Sequence, residues 1–265
     1  MVSTTTLKAI IPTTLMALIL IVSHEAFAVS CPSDSTDTGE KQKMKSNGNW
    51  SGLSFNALSM AQFQGNLEDY TATWGAREDL GLITNDAFES FRVSINPFER
   101  RQKLLGEFFG LTTGIGFDWI RLGIAPDRVL GYDEDSETVV AYDLQPASAE
   151  VSINRINAVY LRVPLLASVH LFRTGGSGLH AEGGFVAGYL LHGKYNREYK
   201  LGGTRTVTDE DFPVSPIQLS ARLGVGFGKV SLLGEAALLP FFEENPTDSP
   251  SMHSFTVGIQ VALGD

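Results

Sequence analysis

The stretch "YLRVPLLASVHLF", Tyr160 to Phe172, limits the fold more than any other part of the chain. Every second residue from Leu161 to Leu171 is Leu, Val or Ala, while the intervening set carries Arg162, Pro164, Ser168 and His170. Successive side chains of a strand point to opposite faces, so this is a strand with one apolar and one mixed face. The pattern recurs near 49–58, 88–96, 108–124, 156–172, 179–199, 215–227, 230–241 and 253–263, with Gly, Pro, Asn and Asp clusters between the runs. Eight such runs without sustained helical spacing predict an all-β chain.

Two folds produce this alternation. In a soluble barrel or sandwich the apolar face is the core and the mixed face meets water. In a membrane barrel the apolar face meets lipid and the mixed face fills the interior. In "LHAEGGFVAGYLLHGKY" the mixed set holds His180, Glu182, Gly184, Gly188, His192 and Lys194; in "IQLSARLGVGF" it holds Gln218, Ser220, Arg222, Gly224 and Gly226. A solvated face would be rich in Lys, Glu and Thr, whereas Gly, Ser and single charges leave room for a few large groups in a narrow lumen. The apolar face is therefore expected to meet lipid. The connections fit: those near 59–87 and 125–155 are long and those at 173–178 and 228–229 short, with "PFERRQKLLGE" intermediate. An even strand number with alternating loop lengths predicts an eight-stranded antiparallel up-and-down transmembrane β-barrel, short turns on the periplasmic side.

An eight-stranded barrel is just wide enough for side chains to fill it. The same alternation nominates an interior charge network of Arg92, Asp118, Arg162, Glu182, Arg222 and Glu235, one per strand with alternating sign. Buried charges must be paired, and neighbouring strands supply the partners. Gly228-Lys229 suits a type II′ hairpin, whose register sets Arg222 directly across from Glu235 and predicts an ion pair between them. Trp50, Trp119, Tyr189, Tyr195, Tyr199 and Phe241 are expected in interfacial girdles. Pro164 has no ladder N–H to give, which predicts a bulge or local opening.

Residues 1–28, with Lys8 ahead of "AIIPTTLMALILIVS" and "EAFA" at the end, read as a secretory signal peptide, and the polar stretch 29–48 as a disordered tail. The barrel domain is 49–265. Cys31 is the lone cysteine, so no internal disulfide forms. A net charge of −10 argues against nucleic acid as a partner. No catalytic residues, metal site or cofactor are expected. Ser168, His170, His180 and His192 lack an assigned acid or oxyanion donor. Asp133, Asp135 and Glu137 begin like a calcium loop, but Thr138 and Leu144 stand where glycine and glutamate are needed. "GLTTGIG" and "GVGFG" lie inside strands and lack the phosphate-loop lysine.

"NWSGLSFNAL", "ESFRVSINPFERR", "GLTTGIGFDW", "YLRVPLL", "GGFVAGYLLHGKYNREYK", "DFPVSPIQLSARLGVGFGKVSLLGEAALLPFF" and "SFTVGIQVAL" occur in this order over about residues 49–263. In this the chain resembles the Bacteroidota outer-membrane β-barrel domain family, which includes porin-family and PorT-like barrels. The resemblance implies an eight-stranded outer-membrane barrel with no shared catalytic motif. Outer-membrane lipid, and envelope or secretion proteins, are the partners it implies. One departure is the ending "VALGD" in place of a terminal aromatic residue. The expected role is a non-catalytic membrane anchor or interaction module acting through its outer loops. The alternatives are an accessory secretion barrel, a lipid-modifying enzyme or a narrow channel.

Overall fold

Strands are β1 (Gly52–Gln64), β2 (Thr71–Thr73), β3 (Asn85–Leu105), β4 (Phe109–Ile124), β5 (Arg128–Asp133), β6 (Thr138–Asp143), β7 (Glu150–Thr174), β8 (Ser177–Leu201), β9 (Thr204–Asp211), β10 (Ile217–Phe227), β11 (Val230–Ala237) and β12 (Ser251–Ala262). The computed structural model describes residues 49–64, 71–73, 85–105, 108–133, 138–143, 150–174, 177–243 and 251–263. The stretches 1–28 and 29–48, with Cys31, lie outside the described residues, as do Asp135, Glu137 and Leu144. Strands β1, β3, β4, β7, β8, β10, β11 and β12 pair antiparallel in that order, and β12 returns to β1. The result is a closed eight-stranded up-and-down barrel, and closure removes every free edge from the wall. Gly228 takes φ +60° in the β10–β11 turn, as a primed two-residue hairpin requires.

Several strands outrun their expected ends. The segment 97–105, expected as a connection, continues β3. Pro97 falls between the pairs Ile95↔Phe117 and Phe98↔Ile115, where the register shifts by one residue. The bulge accommodates a residue that cannot donate to the ladder. It also reverses the facing of the rest of β3, so that Arg101 reaches the inward Ser168. At Pro164 the β4–β7 ladder steps from Thr113↔Leu165 to Gly116↔Arg162 with its register unchanged: a local opening, not a bulge. A second bulge lies in β8, between Tyr160↔Leu190 and Val159↔His192. It moves His192 and Lys194, expected inside, to the outer wall. Asp133 and Thr138 are cross-strand partners at the end of the β5–β6 ladder.

The alternation inverts along the strands. On β4, Ile115, Phe117 and Trp119 point outward while Gly116 and Asp118 are buried; higher up, Ile120, Leu122 and Ile124 are buried and Arg121 lies outside. On β7, Leu161 and Leu165 face outward over buried Arg162 and Ser168, whereas Ile156 and Ala158 are buried between outward Arg155 and Asn157. The lower wall is thus apolar outside and polar inside, and the upper wall is the reverse. From Leu179 to Leu191 on β8 the outer face stays Leu, Ala, Gly, Phe and Tyr. At about 3.3 Å per residue and a tilt of about 40°, this belt stands about 30 Å tall.

The wall depends on glycine where β7 and β8 approach each other. Gly184 takes φ +159°, and a Cβ there would lie 2.2 Å from the Leu165 carbonyl oxygen. The Gly184→Ala protein is expected to be less stable by about 1–3 kcal/mol, measured by urea unfolding in lipid vesicles. An unchanged midpoint would contradict the β7–β8 approach.

Candidate functional site: the filled lumen

Three layers fill the interior. The middle layer is ionic, and the structure places all six sequence-nominated charges there: Arg92, Asp118, Arg162, Glu182, Arg222 and Glu235 are each buried. Four of them form a ring. Arg92 Nη1 donates to Glu235 Oε1 at 2.9 Å, and Arg92 Nε lies 3.5 Å from Asp118 Oδ2. Arg162 Nη1 is 3.0 Å from Asp118 Oδ2, and its Nη2 donates to Glu235 Oε1. Thr256 Oγ1 accepts from Arg92 Nη2 at 2.6 Å. Two guanidinium groups alternate with two carboxylates, so the ring is neutral, and its short contacts offset part of the large desolvation cost of four buried charges. Glu235 stands on β11, across the barrel from β4, and therefore closes the lumen from wall to wall.

Arg222 and Glu182 form the other pair, with Arg222 Nε and Nη2 donating to Glu182 Oε1 at 3.1 and 3.0 Å. Arg222 Nη2 also donates to Gln260 Oε1. The expected Arg222–Glu235 ion pair is not formed. The two are cross-strand partners, as the turn dictates, but their charged ends turn away, Glu235 to Arg92 and Arg162 and Arg222 to Glu182. A narrow lumen lets long side chains reach walls other than the adjacent strand, and the ends settle where charge balances.

Between the two groups sits Trp50, wholly buried. Its ring lies 4.8 Å from the Arg222 guanidinium carbon and 5.8 Å from that of Arg162. Cations over an indole face are attracted to it, the more so when desolvated. Gln260 Nε2 donates to the carbonyl oxygens of Trp50, at 2.7 Å, and Asn49, fixing the entering chain in the lumen. Gly114 and Gly116 make the space: a Cβ on Gly116 would come 3.2 Å from the Trp50 ring and 2.1 Å from Asn96 Oδ1. Trp50 is therefore not a girdle residue. Its parity matches that of the inward Ser54 and Asn56, and only its place ahead of β1 suggests an interface.

The short-turn end is filled by polar groups. Ser231 Oγ and His180 Nε2 are 2.8 Å apart, and the rings of His180 and His170 stack at 5.7 Å. Asn49 Nδ2 meets His170 Nε2 at 3.2 Å. Arg101 Nε donates to Ser168 Oγ at 3.1 Å, and that hydroxyl donates to the Gly110 carbonyl. Gly226 faces this layer, where a Cβ would lie 2.5 Å from His180 Nε2. Of the candidate hydrolytic residues, Ser168, His170 and His180 share this layer, where Ser168 bonds to arginine and His180 to a different, buried serine, while His192 is outside.

The long-loop end is apolar. Leu58, Ile120, Leu122, Ile156, Tyr160, Val214, Phe241 and Met252 belong to one buried cluster. Tyr195 OH donates to Asn154 Oδ1 at 2.7 Å and accepts from Leu130 N at 3.2 Å, pinning β5 over the opening. Tyr195 and Phe241 are therefore core residues and not girdle residues, while Trp119 and Tyr189 do face outward. Tyr199 lies further along β8, under the Arg197 guanidinium. Beyond the cap, β7, β8 and β9 continue as a three-stranded sheet. There the Arg205 guanidinium, hydrogen-bonded to Glu198, holds that half-buried carboxyl below its ordinary range, with Ser152 Oγ assisting. Among the described residues no group of three or more His, Cys, Asp or Glu is placed to hold a metal ion.

No family model matches the sequence, and no curated protein matches it. Among solved structures, two of Ail, the attachment invasion locus protein of Yersinia pestis, align with 80% of this chain and 98% of their own. The one in complex with the heparin analogue sucrose octasulfate has 10% identity and a TM-score of 0.25. The other has 8% identity and a TM-score of 0.26.

Proposed function

We propose that this chain is an outer-membrane barrel which crosses the bilayer with its eight strands and presents the structured long-loop end outside. It acts there without catalysis, as an anchor or interaction module. The observation that carries this reading is the inversion of alternation. A wall that is apolar outside over about 30 Å matches the hydrocarbon thickness of a bilayer, and the switch to an apolar inside suits the water above it. The lumen supports the absence of transport, since an ionic ring, a tryptophan and an apolar cap stack across it. An accessory role in secretion is supported by the PorT-like sequence motifs alone.

Cell fractionation tests the reading. The protein is expected in outer-membrane fractions, with different gel mobilities before and after heating. Protease added to intact cells is expected to cut at the exposed Gly202-Gly203 turn and to spare Gly228-Lys229. Recovery in the soluble periplasmic fraction with a single mobility would refute it.

A further inference from the structure

Just above the lipid-facing belt, the outer wall carries cations that the interior network does not use. Arg121 on β4 is the cross-strand partner of Asn157 on β7, and Asn157 that of Lys194 on β8. Arg155, the next outward residue of β7, pairs with Asn196. Cross-strand partners have Cβ atoms about 5 Å apart and diagonal neighbours about 7–8 Å, so Arg121 and Arg155 are diagonal neighbours, with Asn157 beside both and Asn196 across from Arg155. The two asparagines are tied together, because Asn157 Nδ2 donates to Asn196 Oδ1. Lys194 is held by Asp209 at 3.2 Å at the far side.

Neither arginine has a carboxylate within ion-pair distance among the described residues, and the Nε of each is buried without a hydrogen-bond partner. The Arg121 guanidinium carbon lies 5.0 Å from the centroid of the Phe91 ring, its cross-strand neighbour on the outer face. Two unpaired guanidinium groups in a chain of net charge −10 call for an anion. Guanidinium forks match phosphate oxygens. Because the patch continues directly from Trp119 on the same outer face, an anion bound there is attached to a molecule whose tails lie along the belt.

We propose that Arg121 and Arg155, with the neighbouring Asn157 and Asn196, form a binding site for the phosphate-bearing headgroup of an outer-leaflet lipid. The proposal rests on the membrane-spanning reading, since it takes the belt below the site to be packed against acyl chains.

The test uses the full chain refolded into phosphatidylcholine vesicles containing bis-phosphorylated lipid A, with bound lipid counted by native mass spectrometry. Each basic residue near a charged lipid surface contributes enough for about a fivefold change in affinity. Arg121→Gln and Arg155→Gln are each expected to weaken lipid A binding about fivefold, and the pair about 25-fold. Arg121→Lys with Arg155→Lys, which keeps the charge, is expected to retain most of it. Dephosphorylated lipid A is expected to bind wild type and the double glutamine variant equally weakly. Equal binding of phosphorylated lipid A by those two proteins would overturn the site, as would displacement of lipid A by millimolar inorganic phosphate. The membrane reading fails separately, if the wild-type chain does not insert and shows no heat-dependent mobility.

Discussion

Glu235→Leu is expected to destabilise the barrel by about 3–5 kcal/mol, the cost of leaving buried charge uncompensated. The loss follows from the ring: without Glu235, Arg92 and Arg162 share the single carboxylate of Asp118, and a net positive charge is left in the lumen. Replacing all four ring members by apolar residues of similar volume removes the desolvation cost with the attraction, and is expected to be nearly neutral or mildly stabilising. Double-mutant cycles by urea unfolding in vesicles separate the partners. Coupling is expected to be strong for Arg162–Glu235 and Arg222–Glu182 and weak for Arg222–Glu235, despite their facing positions. A coupling for Arg222–Glu235 as large as that for Arg162–Glu235 would contradict the ring.

Trp50→Ala is expected to cost about 3–5 kcal/mol, as for other large-to-small core substitutions. Little collapse is available, because the flanking Arg162 and Arg222 are tethered by their own ion pairs. Trp50→Phe keeps an aromatic face toward both cations and is expected to recover more than half of the loss. Planar-bilayer recordings of Trp50→Ala are expected to stay silent, since the apolar cluster around Phe241 and Tyr160 still closes the far end. A loss below about 1 kcal/mol, the typical effect of an ordinary substitution, would place Trp50 outside the lumen.

Alternation makes the eight strands and the six inward charges legible, because period two reports which face a residue occupies. It does not report partners. Arg222 and Glu235 face each other as the Gly228 turn requires, yet which carboxylate meets which guanidinium is decided across the lumen. Parity also assumes an unbroken ladder, and the bulges near Pro97 and Leu191 each reverse it; His192 and Lys194 stand outside for that reason. Height along the strand suggests an interface for Tyr195 and Phe241, but an apolar inside to the upper wall draws them in. The Arg121–Arg155 patch is invisible until the β4–β7 register places the two residues side by side.

The seam between β1 and β12 joins the two ends of the described chain, from Gly52↔Ala262 to Phe63↔Ser251. The β10–β11 hairpin, by contrast, needs only its own two-residue turn. Contacts between distant parts of a chain carry the larger entropic cost and form slowly, so hairpins can accumulate while the cylinder is still an open, curled sheet. Closure comes with the last strand, and that strand carries Gln260, whose amide grips the Asn49 and Trp50 carbonyls. The seam that joins the two ends of the barrel therefore also clamps the indole that fills it, so one strand pairing ties wall to contents.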